Sequence, residues 1–178
     1  DDENAAKEVQ YMFSNDYFRV YRTDDVIGAQ IGVAIKNIIA VASGMAEGLD
    51  LGDNARAALI TRGLAEMTRF GVSQGARPET FLGLCGVGDL VVTASSVHSR
   101  NFQAGLTIGK ADSAEGFLEN NKKTVEGVHA AKVVHELANE LKISMPITEQ
   151  VYLIVYENKK PSVAIEELME RDLKEEAI

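Results

Sequence analysis

The chain has 178 residues, and its 27 acidic side chains outnumber 18 basic ones, which gives a formal net charge of -9. An acidic surface argues against nucleic acid or an anionic membrane as the main partner, and no uninterrupted apolar run reaches the roughly 18 residues that suggest a membrane span. The single cysteine excludes an internal disulfide, which is typical of a protein from the reducing cytoplasm.

The first residues predict a helix followed by a short strand. The chain opens with Asp1-Asp2-Glu3, which is neither an initiator methionine nor a signal peptide, so we expect part of a longer protein. A helix with a polar face is predicted up to Phe13. Residues 17–21 are aromatic and β-branched, which favours a strand, and because a lone strand needs partners we expect the stub of a larger sheet.

The dominant predicted helix runs from Asp25, its N-cap, to about Leu49. Residues 31–42 are apolar on nearly every side, interrupted mainly by Gly32 and by Lys36-Asn37. A helix that is apolar all round is a buried helix, so we expect this one at the centre of the fold.

Shorter helices are predicted through the rest of the chain. A capped turn at 52–54 introduces a helix at 55–70, and Pro78 opens a short one. Further helices are predicted at 99–110, at 125–141, from Pro146 and after a cap at Ser162. Lys122-Lys123 and residues 174–176 are expected to be solvated. The sequence therefore predicts an all-α fold.

Lys36 is the first candidate for chemistry, because nearly unbroken apolar sequence flanks it on both sides. A buried ammonium is costly, so such a lysine either gives up its proton or finds a partner. A lysine near neutrality can act as a general base, or donate a proton to a carbonyl oxygen. Alternatively, its side chain simply reaches the edge of a groove. Asn37 adds a donor and an acceptor beside it.

Asp89 is the second candidate, because it follows a segment with glycines at 83, 86 and 88. Glycines allow a close approach of the backbone to a ligand and leave N–H groups free to face an anion. Asp89 could cap the next helix, or it could pair with a buried lysine and fix its position. These two roles are compatible, and both stay open.

The third candidate is Ser99-Arg100-Asn101, which begins a predicted helix. A helix N-terminus offers free N–H groups, and the arginine fork, the hydroxyl and the amide add hydrogen bonds that suit a phosphate monoester. A helix cap followed by a surface arginine is the alternative. The three histidines lack the spacing of metal ligands, so no metal site is predicted.

With these residues, the chain resembles the C-terminal domain of bacterial NAD(P)-dependent glycerol-3-phosphate dehydrogenases. The resemblance rests on five segments in the family's order and spacing, at 28–37, 52–63, 86–90, 99–101 and 125–127. It implies an all-α substrate-binding and dimerisation domain of the 6-phosphogluconate dehydrogenase-like type over residues 25–178. Residues 1–24 would be a connector and the helix-strand end of an N-terminal Rossmann domain.

The resemblance also implies roles for individual residues. Lys36 matches the family's proton acceptor, and Asp89 matches a carboxylate close to that lysine and the substrate. Thr93 matches a polar active-site position. The implied glycerol-phosphate contacts are Ser99, Arg100 and Asn101, and the implied dinucleotide contacts are Arg100, Thr124 and Glu126.

The resemblance implies a cytoplasmic enzyme that interconverts sn-glycerol 3-phosphate and dihydroxyacetone phosphate with NAD or NADP, for phospholipid synthesis. The chain has no strand followed by Gly-x-Gly-x-x-Gly, so the cofactor would be bound mainly by the Rossmann domain. We therefore expect this chain alone to be inactive, and the whole enzyme to be a homodimer. Two alternatives stay open: the helical domain of another hydroxy-acid dehydrogenase, and a purely structural assembly module.

Overall fold

The structure is a computed structural model that describes residues 2–121 and 124–172. Within these ranges the chain forms α-helices, a kinked glycine-rich turn at Leu84–Gly88 and no strand, which confirms the all-α prediction. The helices are α1 (Glu3–Phe13), α2 (Val26–Gly48), α3 (Gly52–Ser73), α4 (Pro78–Phe81), α5 (Asp89–Ser95), α6 (Arg100–Ala111), α7 (Phe117–Asn120), α8 (Glu126–Leu141), α9 (Pro146–Tyr156) and α10 (Pro161–Met169). Asp1, Lys122-Lys123 and the predicted tail at 174–176 lie outside the described residues.

Helix α2 is the centre of the fold, and α3, α5, α6 and α8 pack around it. Its N-cap is Asp25, as predicted, whose Oδ1 accepts a hydrogen bond of 2.8 Å from the Gly28 N–H. By length and composition α2 could cross a membrane, with a mean hydropathy of 1.7, but half of its most apolar stretch is buried inside the protein. The sequence criterion of an uninterrupted apolar run did not identify α2 as a possible membrane span, because Lys36 and Asn37 interrupt its apolar residues.

Glycines bring α2 and α6 into direct backbone contact. A Cβ atom on Gly105 would lie 1.9 Å from the Val41 carbonyl oxygen, and one on Gly44 would lie 2.0 Å from that of Phe102. Gly48 and Gly109 extend the contact toward the ends of the two helices. Since no larger side chain fits, this packing fixes the start of α6 beside the middle of α2.

A buried carboxylate joins α3 to the start of α9. Glu66 is 2% exposed, and its Oε1 accepts a 2.6 Å hydrogen bond from the Ile147 N–H. Its Oε2 accepts bonds of 3.3 Å from the N–H and the hydroxyl of Thr148. Burial raises the pKa of Glu66 to about 7, although these hydrogen bonds favour the ionised form.

The predicted strand at residues 17–21 is wrong. The segment has a bend at Tyr17 and no regular secondary structure after it, and it pairs with no strand in the described residues. The Asn15 side chain accepts from the N–H groups of Tyr17 and Phe18, and Tyr17 is 99% exposed. Aromatic and β-branched composition alone does not make a strand when no neighbouring strand can pair with it. The division into residues 1–24 and 25–178 stays a prediction.

Two predicted helix starts are also wrong. Helix α3 begins at Gly52 itself without a side-chain cap, and Asp53 pairs instead with Arg56 at 2.8 Å. Helix α10 begins one residue before the predicted cap, because Pro161 already has the backbone angle of a first helical residue. Ser162 donates from its N–H and its hydroxyl to the Asp112 carboxylate, each at 2.8 Å.

Candidate active site

Lys36 and Asp89 form a partly buried ion pair between α2 and α5. The Lys36 Nζ donates to Oδ2 of Asp89, and the two side chains are 15% and 31% exposed. Asp89 is the first residue of α5, and the N-cap position belongs to Gly88, which has no side chain to cap with. Of the two roles considered for Asp89, the structure therefore shows the pairing with lysine.

The sequence suggested that the backbone N–H groups of the glycines before Asp89 could face an anion, but in the structure they bond within the turn. Those of Gly86 and Gly88 both donate to the Gly83 carbonyl oxygen, at 3.2 Å. A Cβ on Gly86 would lie 2.1 Å from the carbonyl oxygen of Phe81, and the turn reaches α2 at Gly32. The glycines thus allow tight packing that brings α5 and its aspartate to Lys36.

Thr93 lies one turn after Asp89 on α5. Its hydroxyl donates to the Asp89 carbonyl oxygen at 2.6 Å and lies 3.3 Å from Oδ1 of the same residue. The Asp89 carboxylate is thus held by lysine on Oδ2 and has the threonine hydroxyl beside Oδ1. This arrangement restricts the orientation of the carboxylate.

A second group of polar side chains joins α2, α6 and α8. Asn101, which is 5% exposed, donates from Nδ2 to Oδ1 of Asn37 at 2.9 Å. Its Oδ1 accepts a 2.8 Å bond from the Gly127 N–H at the start of α8. A Cβ on Gly127 would lie 2.2 Å from the Asn37 carbonyl oxygen, so only glycine fits. Asn37 follows Lys36 directly, so this group and the ion pair begin within the same turn of α2.

The first residues of α6 and α8 carry the remaining candidates. Ser99 caps α6, since its Oγ accepts from the Phe102 N–H at 3.3 Å. Arg100 is exposed and donates from Nη2 to Oε1 of Glu126 at 2.5 Å. The predicted cap and surface arginine are therefore both present, but the arginine has an acidic partner on α8 that the sequence pattern did not indicate.

Once this geometry is known, comparison with other proteins assigns the family. The family described as NAD-dependent glycerol-3-phosphate dehydrogenase C-terminus matches residues 25–166. The chain belongs to this family. Its α2 ion pair and its α6–α8 polar group both lie within the matched range.

Relatives and solved structures agree with this assignment. Over 176 residues the chain is 52% identical to a glycerol-3-phosphate dehydrogenase (NAD(P)+) of Lacticaseibacillus paracasei, covering 99% of the chain and 50% of that protein. One from Listeria monocytogenes is 53% identical over 173 residues, or 97% of the chain and 51% of the relative. The crystal structure of glycerol-3-phosphate dehydrogenase from Coxiella burnetii has a TM-score of 0.90 at 41% identity, covering 96% of this chain and 53% of that one. The chain thus spans about half the length of the curated relatives it matches.

The structure brings most of the candidate residues of this family member into one region. Lys36, Asp89 and Thr93 form one group, and Arg100 contacts Glu126. Asn101 links these two groups through its bonds to Asn37 and Gly127. The sequence did not identify Asn37 and Gly127 as site residues, although Asn37 follows Lys36 directly and Gly127 lies in segment 125–127, which resembles the family.

Thr124 stands apart from these groups. It is exposed two residues before α8, and none of the contacts described for residues 2–121 and 124–172 joins it to the other candidates. In the same ranges no three His, Cys, Asp or Glu side chains are grouped as a metal site requires. The described site therefore consists of the lysine pair and the polar residues that begin α6 and α8.

Proposed function

We propose that this chain is the substrate-binding and catalytic half of an NAD(P)-dependent glycerol-3-phosphate dehydrogenase, which interconverts sn-glycerol 3-phosphate and dihydroxyacetone phosphate. The observation that carries the proposal is the shielded Lys36–Asp89 pair next to the polar start of α6. Family membership supports this function over another hydroxy-acid dehydrogenase and over a purely structural module.

Lys36 would perform the proton transfer. Oxidising a secondary alcohol requires a base for the hydroxyl proton while hydride leaves the carbon. The Lys36 amine accepts this proton, and the ammonium that forms lies beside the Asp89 carboxylate, which stabilises the new positive charge. In the reverse direction the ammonium donates its proton to the carbonyl oxygen of dihydroxyacetone phosphate. Thr93 helps Asp89 to keep its orientation.

The start of α6 would hold the phosphate of the substrate. Arg100 is exposed there, and its guanidinium can form two parallel hydrogen bonds to phosphate oxygens. The N–H groups of Arg100 and Asn101, which the Ser99 cap does not use, add positive potential. Ser99 keeps a hydroxyl donor, and Asn101 keeps one side-chain N–H after its bond to Asn37. Binding the phosphate here orients the reacting carbon toward Lys36.

NAD or NADP would be bound mainly by a preceding Rossmann domain, and the nicotinamide supplies the hydride acceptor or donor when bound. On this chain the fit is limited to Arg100, Glu126 and Thr124, which lie partly or fully exposed at neighbouring helix starts, where a ligand can reach them. A guanidinium and a carboxylate can bind the phosphate and hydroxyl groups of a dinucleotide. We expect the chain alone to be inactive.

Residues 1–24 would be the connector and the end of that Rossmann domain. The family match begins at residue 25, and the segment before it exposes large apolar side chains, including Tyr11 and Tyr17. Exposed apolar residues on α8 and α10, such as Val133 and Met169, support a homodimer. The single cysteine supports a place in the cytoplasm, where the enzyme would provide glycerol 3-phosphate for phospholipid synthesis.

The test is Lys36→Met in the full-length enzyme. Removing a general base lowers turnover by about 100-fold or more, so we expect kcat to fall at least that far while the fold is retained. Lys110→Met, which removes an exposed lysine at the end of α6, is the matched control and should keep wild-type turnover. If Lys36→Met retains kcat within about tenfold of wild type, the assignment of the base is wrong.

A further inference from the structure

Two residues proposed as ligand contacts are bound to each other in this structure. Arg100 is the proposed phosphate contact and also a proposed dinucleotide contact, and Glu126 is a proposed dinucleotide contact. They form an ion pair of 2.5 Å, with side chains that are 58% and 41% exposed. An incoming phosphate therefore meets a guanidinium that already has an anionic partner.

The position of this pair is fixed by the buried bond next to it. Arg100 and Glu126 are the first residues of α6 and α8, and the residues that follow them, Asn101 and Gly127, are joined by a 2.8 Å hydrogen bond. Because Asn101 is buried and only glycine fits at residue 127, the two helix starts cannot separate freely. Glu126 consequently remains within reach of Arg100.

We propose that Glu126 is the built-in counter-ion of Arg100: it positions the guanidinium in the ligand-free protein and competes with the phosphate of the substrate. This inference rests on the proposed function of the site. A phosphate that binds Arg100 either displaces the Glu126 carboxylate or lies a few ångströms from it, and like charges at that distance repel. Exposed ion pairs are weak, so the competition changes phosphate affinity by about two- to fivefold.

The test uses inorganic phosphate as the probe and this 178-residue chain. Binding is followed by NMR at low ionic strength, from the Arg100 Nε–H and the backbone N–H groups of Arg100 and Asn101. We expect Glu126→Gln to bind phosphate about two- to fivefold more tightly than wild type. Glu126→Asp, which keeps the charge, should stay close to wild type.

The matched control is Glu140→Gln. Glu140 is exposed on the same helix, 14 residues further along, so its loss removes the same charge about 21 Å away. It should leave phosphate affinity unchanged. In a double-mutant cycle, the gain from Glu126→Gln should vanish when Arg100→Gln is also present, which a merely structural role of Glu126 would not produce.

Three results would overturn the proposal. These are equal affinities for Glu126→Gln and wild type, a gain that persists without Arg100, and the absence of saturable phosphate binding by any variant. None of them depends on turnover. The Lys36→Met experiment tests the dehydrogenase function separately, so failure of the counter-ion role and failure of the proposed function can be told apart.

Discussion

The two halves of α2 differ in what surrounds them. Residues 38–46 are all buried, and the only polar side chain among them, Ser43, donates to the Ala94 carbonyl oxygen at 2.7 Å. Residues 26–37 leave one face open, where Val33 is half-exposed and Lys36 and Asn37 make polar contacts. One helix therefore supplies both the core of the domain and the base of the candidate site.

This difference separates stability from chemistry along a single helix. In the closed half the backbones of α2 and α6 touch, so the packing tolerates no added atom. In the open half, backbone contacts occur at Gly32 and Asn37, but the polar side chains of Lys36 and Asn37 also make contacts and remain partly exposed. Changes in the closed half should lower the free energy of unfolding, whereas changes in the open half should lower activity with little loss of stability.

The largest expected effect comes from Gly105→Ala. The new Cβ would lie 1.9 Å from the Val41 carbonyl oxygen, so α6 must move away from α2. Overpacking a core against backbone costs about 3 kcal/mol or more, and we expect a loss of at least that size in the free energy of unfolding. Chemical denaturation followed by circular dichroism measures it.

Gly88→Ala is the matched control for this substitution. A Cβ there would have its nearest neighbour at 3.6 Å, and the backbone φ of -61° suits any residue. We expect a change of less than about 1 kcal/mol. Equal losses for the two alanine variants would mean that the contact between α2 and α6 is not what limits stability.

The next effect concerns Glu66, a buried carboxylate on α3 that contrasts with Asp89 at the site. Asp89 faces a lysine, whereas Glu66 is held by N–H and hydroxyl groups, and its burial raises its pKa from 4.5 to about 7. Protonation therefore favours the folded state: this contribution is complete below about pH 4.5 and is lost as the pH rises through 7. Between about pH 5 and pH 8 the free energy of unfolding should fall by roughly 2 kcal/mol.

The measurement compares the pH slopes of variants, since Glu66→Gln also changes the hydrogen bonds and lowers stability at every pH. Wild type should lose stability over this range, and Glu66→Gln should lose roughly 2 kcal/mol less. Glu115→Gln, which removes an exposed carboxylate, should keep the wild-type slope. If wild type and Glu66→Gln have parallel pH profiles, then the folded-state pKa of Glu66 is not raised.

Features set by local sequence could be predicted well. Asp25 caps α2 because a short acidic side chain precedes a long apolar run, and Pro78 starts α4 because its fixed φ suits a first helical residue. Lys36 could be singled out because apolar neighbours on both sides make its charge conspicuous. Its pairing with Asp89 was one of two open possibilities, since a sequence does not give distances between residues 53 positions apart.

Features set by tertiary packing could not be predicted in this way. Gly105 resembles any glycine within a helix until the backbone of α2 is seen beside it. Serine commonly caps helices, but the N–H and the hydroxyl of Ser162 both donate to the carboxylate of Asp112, in the loop after α6. Glu66 sits among ordinary helix-forming residues, and its role depends on the start of α9, about 80 residues later.

The smallest effect is expected at the open site, from Thr93→Val. The substitution keeps the shape of the side chain but removes the hydroxyl that lies 3.3 Å from the Asp89 carboxylate and donates to the carbonyl oxygen of the same residue. Of its contacts with the described residues, the Asp89 carboxylate then keeps the bond to Lys36. Losing one supporting hydrogen bond of about 1 kcal/mol should lower kcat/KM of the full-length enzyme by about fivefold, with little change in stability.

Thr107→Val is the matched control. The Thr107 hydroxyl lies on the exposed face of α6 and makes the same kind of bond, at 2.9 Å, to the Gln103 carbonyl oxygen one turn earlier. If both variants keep wild-type kcat/KM, then Lys36 alone fixes the Asp89 carboxylate. If both lose the same factor, the cause is the lost bond within the helix and not the orientation of Asp89.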